Sequence, residues 1–206
     1  MIKNAQTCFR MKSRGCDTSG DIMPLLIMVV AALWVFFVTA QLVCAADHTD
    51  LLEQRVKAAF LWKFTSYVEW PESSYAQSDL PFTIAVVGAD LIAEELLAVT
   101  SERTLYQRPV VVRRLMPGES LAGVHILFIG DSEFESINQL AQSAQTLSVL
   151  TVTESVGALE HGSIINFTIV ERRVRFEISL GAARKNNLRL SSRLLAVAHS
   201  VQPGIP

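Results

Sequence analysis

In this chain of 206 residues, Gly130-Asp131-Ser132 is the triplet from which a nucleophile could be built. A serine hydroxyl there would sit on a turn between an apolar run and a polar helical pattern. It becomes a nucleophile only with a base in hydrogen-bond reach, and no Asp-x-x-His that could supply one occurs anywhere in the chain. Ser132 therefore reads as a helix cap. The four histidines, His48, His125, His161 and His199, are isolated from one another. No pair has the spacing of a metal-binding helix, so neither a metal nor a cofactor is expected. His125 lies inside an apolar run and reads as an interior residue with its polar atoms satisfied.

Two further places could bind rather than react. Val87-Gly88-Ala89-Asp90 and Ile129-Gly130-Asp131-Ser132 each stand where a strand hands over to a helix. In open α/β sheets that edge is where ligands sit, so Gly88, Asp90, Gly130 and Ser132 mark a candidate crevice. Neither segment is a Gly-x-Gly-x-x-Gly or a P-loop, and a nucleotide is not implied; turn chemistry alone accounts for the same residues. Arg172, Arg173 and Arg175 form a basic cluster. A solvated face is the ordinary role, and a contact patch for an acidic partner or small anion is the alternative, since arginine forks suit both. Trp62, Phe64, Tyr67 and Trp70 read as core, with any ring left outside a candidate interface anchor.

The composition narrows the classes to which such a site could belong. Half the residues are hydrophobic, 18% are charged and the formal charge is −2. That excludes a disordered chain, and 10 Gly with 7 Pro excludes a collagen-like one. A sequence pI near 6.1 argues against a protein that holds nucleic acid by charge. Mean hydropathy is nevertheless high, +0.32, and much of it sits between Leu25 and Ala40. Residues 22–46 carry no charge, Lys3, Arg10, Lys12 and Arg14 precede them, and Cys44-Ala45-Ala46 supplies small residues before Asp47. This is the order of a secretory signal peptide over residues 1–46, with an uncleaved inner-membrane anchor over residues 22–46 as the alternative. Either way the remainder, 47–206, is expected to be exported as a single domain. The leader holds four of the 18 basic and two of the 20 acidic side chains, so the remainder carries −4. Cys8, Cys16 and Cys44 all lie in the leader, and about 160 residues suffice for a core without disulfides.

The elements that must position these residues follow from hydrophobic period. Leu51 to Val68 reads as an amphipathic helix, its stripe at Leu52, Val56, Ala59, Phe60, Lys63, Phe64 and Tyr67, ended by Trp70-Pro71. Phe82–Val87, Pro109–Leu115, Val124–Ile129 and Ser148–Val152 read as strands, with helices at Leu91–Val99 and at Glu133–Ala144. The second helix is expected to open on a Ser132/Glu135 capping box. Apolar runs alternating with helices argue a mostly parallel sheet flanked by helices. Ile164–Val170 and Val174–Ile178 alternate about a polar turn, Glu171-Arg172-Arg173, which predicts a C-terminal antiparallel hairpin. Val174, Phe176 and Ile178 face one way; Arg173, Arg175 and Glu177 face the other. Two short helices, Leu180–Asn186 and Ser192–Ser200, close the chain.

Val56-Lys-Ala-Ala-Phe-Leu-Trp-Lys-Phe-Thr-Ser-Tyr-Val-Glu-Trp-Pro71 resembles the opening helix of the YfiR family of periplasmic regulators. Phe82–Asp90, Leu121–Gly130, Val149–Thr153, Gly162–Val170, Val174–Ile178 and Leu190–Leu195 match that family's later blocks in order. The resemblance implies a protein that is not an enzyme. Its expected role is to bind the periplasmic domain of an inner-membrane sensor, a diguanylate cyclase or a histidine kinase, as a homodimer. In the cyclase version it inhibits the enzyme and lowers cyclic-di-GMP and biofilm output. The resemblance also implies a small ligand near the hairpin, and the candidate contact residues are Arg173, Arg175, Glu177 and Asn166. A periplasmic small-molecule sensor without cyclase control is the alternative. Two departures stand out. The family's redox-linked cysteines have no counterpart beyond residue 46, and its Asp-Gly hairpin turn is replaced by Glu171-Arg172.

Overall fold

A strand that is apolar at nearly every position has to be covered on both faces, and Phe82–Val87 and Val124–Ile129 are buried along their whole lengths. The computed structural model describes Met28, residues 50–75 and residues 80–204. Apart from Met28, the predicted leader lies outside the described residues. The chain divides into two units after Asp47, and the second, His48–Pro206, holds every strand of the sheets.

In chain order this unit opens with helix α1 (50–64), strand β1 (Val68–Glu69), a 3-10 turn (Glu72–Tyr75), β2 (Phe82–Val87) and α2 (Asp90–Thr100). Next come β3 (Thr104–Leu105), β4 (Arg108–Arg114), β5 (Val124–Ile129), a 3-10 segment (Asp131–Ser136), α3 (Ile137–Thr146) and β6 (Leu150–Thr153). The last third holds β7 (Ile165–Val170), β8 (Arg173–Ser179), α4 (Leu180–Lys185), β9 (Arg189–Leu190), α5 (Ser192–Val197) and β10 (Ser200–Gln202). The main sheet has the order β10-β8-β7-β6-β5-β2-β4-β3. Its centre, β4 through β7, is parallel, whereas β8 is antiparallel to β7 and β3 to β4. This is the mostly parallel α/β sheet with a C-terminal hairpin that the sequence predicts.

Alternate residues of β2 and β5 feed two cores. Ile84, Val86, Ile126 and Phe128 join Leu61 and Phe64 of α1 and Ile92 and Leu96 of α2 on one face. Ala85, Val87, Leu127 and Ile129 meet Ile137, Leu140 and Ala144 of α3 on the other. The first core is aromatic at the hairpin, where Phe64 packs edge-on to Phe176 at 5.2 Å and stacks on Phe167 at 6.0 Å. Offset and edge-to-face pairs of this kind add to simple area burial.

Several boundaries differ from expectation, each for a tertiary reason. Helix α1 stops at residue 64 rather than 68, because Val68 and Glu69 pair with Leu190 and Arg189. Its buried side is also rotated from the predicted stripe. Lys57, Ala58, Leu61, Phe64 and Thr65 are buried, whereas Leu52, Ala59 and Lys63 are exposed. The capping box before α3 does not form. Gly130 precedes a 3-10 segment without a side-chain cap, and the α-helix begins only at Ile137. The predicted last helix ends at Val197, and Ser200–Gln202 becomes a strand beside β8. Finally, Val170 pairs with Arg173, so the hairpin turn is two residues, not three. Glu171 and Arg172 take φ of 50° and 60°, the left-handed pair a twisted two-residue hairpin requires.

Candidate functional site

The candidate residues lie at the carboxyl edge of the parallel strands, where three loops meet. The loop after β2 and the loop after β5 are latched to each other. Gly130 N–H donates to the Val87 carbonyl at 2.8 Å, and the Ser132 hydroxyl donates to the Gly88 carbonyl at 3.0 Å. Gly88 has φ +67°, and a Cβ on Gly130 would collide with the Gly88 carbonyl. Glycine is needed at both places so that the backbones can touch. Thus Gly88, Gly130 and Ser132 hold one loop against the other. Asp90, at the start of α2, turns outward to Arg114 at 3.2 Å.

One strand further along, the edge opens. The loop after β6 starts with Glu154, whose carboxylate receives the Lys57 ammonium of α1 at 2.6 Å. Glu53, one helical turn before Lys57, receives the same ammonium at 2.5 Å. The Lys57 side chain is only 6% exposed. Burial pushes its pKa down, but the hydrogen bonds it donates to Glu154 and Glu53, with their negative charge, outweigh that, and the pKa is raised above its ordinary value. The lysine is a fixed cation at every physiological pH. Around it is a cleft of about 410 Å³, lined by Glu53, Lys57 and Glu154 on one side and by Asn166, Ile169 and Glu177 on the other.

The hairpin supplies that second wall. Asn166 opposes Glu177, Thr168 opposes Arg175 and Val170 opposes Arg173, so these six share the face that turns away from Phe167 and Phe176. Asn166 is 4% exposed, and the Thr153 hydroxyl lies 2.8 Å from its Oδ1. Arg173 and Arg175 are exposed, and among the described residues no carboxylate lies within ion-pair distance of either. The structure therefore brings Asn166 and Glu177 to the cleft and leaves Arg173 and Arg175 facing solvent.

The cluster that organises the cleft, Lys57 with Glu53 and Glu154, is absent from the sequence-derived candidates. Its one local signal is the i, i+4 spacing of Glu53 and Lys57 on a helix; Glu154 is 97 residues away from Lys57 in the chain. Of the four clustered aromatics, Phe64 and Trp70 are buried, whereas Trp62 and Tyr67 are partly exposed. Arg103 covers the Trp62 ring at 5.3 Å.

Chemically, this edge is equipped for recognition. It offers fixed charges of both signs, a buried amide and a row of exposed arginines. Among the described residues no group of three or more His, Cys, Asp or Glu side chains is placed to hold a metal, and no helix is long and apolar enough to cross a membrane. No curated protein matches the chain. A family model described as YfiR/HmsC-like matches residues 54–199, from the first turns of α1 to the residue before β10. The chain belongs to the YfiR/HmsC-like family.

Proposed function

We propose that this protein is an exported regulator that binds and inhibits the periplasmic sensing domain of an inner-membrane diguanylate cyclase, and so lowers cyclic-di-GMP and biofilm output. Membership of the YfiR/HmsC-like family across residues 54–199 carries the reading, because it spans the elements from α1 to α5 that build both cores and the edge cleft. The family supports a regulator of diguanylate cyclase signalling rather than an enzyme. The exposed arginine face of β8 is the surface offered to the sensor, since a guanidinium with no ion-paired carboxylate among the described residues is available to an acidic partner. The domain, residues 47–206, is released by cleavage of the leader and works as a homodimer.

Deletion of the gene is the direct test. Cyclic-di-GMP and surface attachment should rise and return to their original levels on complementation. Unchanged levels in the deletion strain would overturn the cyclase reading.

A further inference from the structure

The cleft lies beside a break in the main sheet. Strand β6 ends at Thr153, opposite Asn166, while β7 runs on to Val170, paired only with β8 beyond that point. In a two-residue hairpin the pair flanking the turn is hydrogen-bonded, and bonded and non-bonded pairs then alternate. Val170, Thr168 and Asn166 thus point their backbone groups at β8; just before the strand, the Ile164 carbonyl accepts the Ser179 N–H at 2.8 Å in the same phase, while the Ile164 N–H turns to the Thr151 carbonyl of β6 at 3.2 Å. Ile169 is in the opposite phase. Its N–H and carbonyl face the open edge, and no backbone bond to them occurs among the described residues outside the ladder. The Ile169 side chain is 50% exposed, and Val156, across the cleft, is 95% exposed. An open strand edge flanked by bare apolar side chains is a template for another strand.

The charges indicate which strand. Glu53 and Glu154 share the single ammonium of Lys57, so the cluster keeps a net charge of −1 and can take one further cation. At the other end of the same edge the turn carries Arg172, exposed and without an ion-pair partner among the described residues. An edge acidic at one end and basic at the other is complementary to a copy of itself laid antiparallel. That is the condition for an isologous twofold contact.

We propose that two copies of this chain associate through the β7 edges, with the twofold axis at Ile169 and Arg172 of each copy set against Glu53 and Glu154 of the other. The register is constrained from both sides. β6 already occupies the edge as far as Asn166, so the second β7 can lie only along Thr168–Val170. In that register the Ile169 N–H and carbonyl bond those of Ile169 in the second copy, Ile169 and Val156 cover each other's apolar surface, and the turn ends at the mouth of the cleft. Arg173 and Arg175 stay outside this contact. The inference rests on the self-association named in the proposed function and gives it a surface.

Proline at 169 removes the free donor but no bond within the hairpin, because Ile169 is in a non-bonded pair with Val174. Sedimentation velocity of the protein as the cell exports it, across the micromolar range and at low and high salt, is the readout. The wild type should show a concentration-dependent dimer weakened by salt. Ile169→Pro and Arg172→Glu should each raise the dissociation constant at least about tenfold, and Arg172→Glu should remove most of the salt dependence. A wild-type dimer with both variants unchanged would overturn the β7 contact and leave self-association standing on another surface. A wild type monomeric throughout would overturn both. Arg172→Glu carries the test alone if the proline variant does not fold.

Discussion

The Nδ1 atom of His125 accepts the backbone N–H of Thr83 at 3.2 Å, at the place where the pairing of β2 and β5 slips by one residue. Thr83 pairs with Val124 and Ile84 with Ile126, so His125 is the extra residue of a bulge, and its ring takes the donor that the bulge leaves over. The ring is 4% exposed and stacks on Phe82 at 4.4 Å, while its carbonyl accepts the Trp70 indole N–H at 3.2 Å.

An imidazole nitrogen that accepts must be unprotonated, and burial pushes the His125 pKa below 6.5, helped by the charge of Arg108 and opposed by bonds to the Ser74 and Gly123 backbones. A group whose folded pKa is depressed contributes stability that is fully present above its unfolded pKa and is lost as pH falls. Denaturant midpoints should thus hold above pH 7 and decline from about pH 6.5 downward. His125→Gln should flatten that decline while lowering stability at pH 7; an unchanged pH profile in the variant would remove His125 as its source.

Lys57 and Glu154 tie α1 to the loop after β6. Glu154→Ala leaves a buried ammonium with Glu53 alone, and breaking a buried pair from one side costs about 3 kcal/mol. Urea unfolding should show that loss with no change in the slope m. The double variant Lys57→Met/Glu154→Leu should recover most of it, because the stranded charge is then gone.

Glu171 and Arg172 both adopt left-handed φ without being glycine or asparagine, at a cost of about 1–2 kcal/mol per residue. The pair Glu171→Asn/Arg172→Gly places the residues such a turn favours. It should raise the melting temperature and, by removing Arg172, weaken the β7 dimer. A melting temperature that falls would show that the wild-type side chains make compensating contacts.

Arg173→Glu/Arg175→Glu alters side chains that are exposed, so stability should stay within about 0.5 kcal/mol of wild type. Retention by the sensor's periplasmic domain in a pull-down should nevertheless be lost. Full retention would move the docking surface off the hairpin.

How much of this is legible in the chain depends on the range of the forces. β2, β5 and the hairpin can be read directly, because unbroken apolar runs and strict alternation are local consequences of burial on two faces or one. β1, β9 and β10 cannot, since strands of two or three residues have no period and these exist only because a distant segment pairs with them; β3 is equally short and forms only by folding back on β4. Spacing alone makes Ser132 a cap, whereas the nearby Gly88 carbonyl takes its hydroxyl.

The sequence by itself determined the α/β class, the two-sided core, the arginine face of β8 and the absence of cysteine beyond residue 46. Those properties depend on residue type and on neighbours a few positions away. Tertiary structure alone decided that Lys57 meets a carboxylate 97 residues on, that His125 accepts the N–H of Thr83 42 residues back, and that β7 outruns β6 to leave an open edge. Each of these depends on where two remote segments come to lie once both cores close. Burial then strengthens the charges and hydrogen bonds that meet there, which no local pattern encodes.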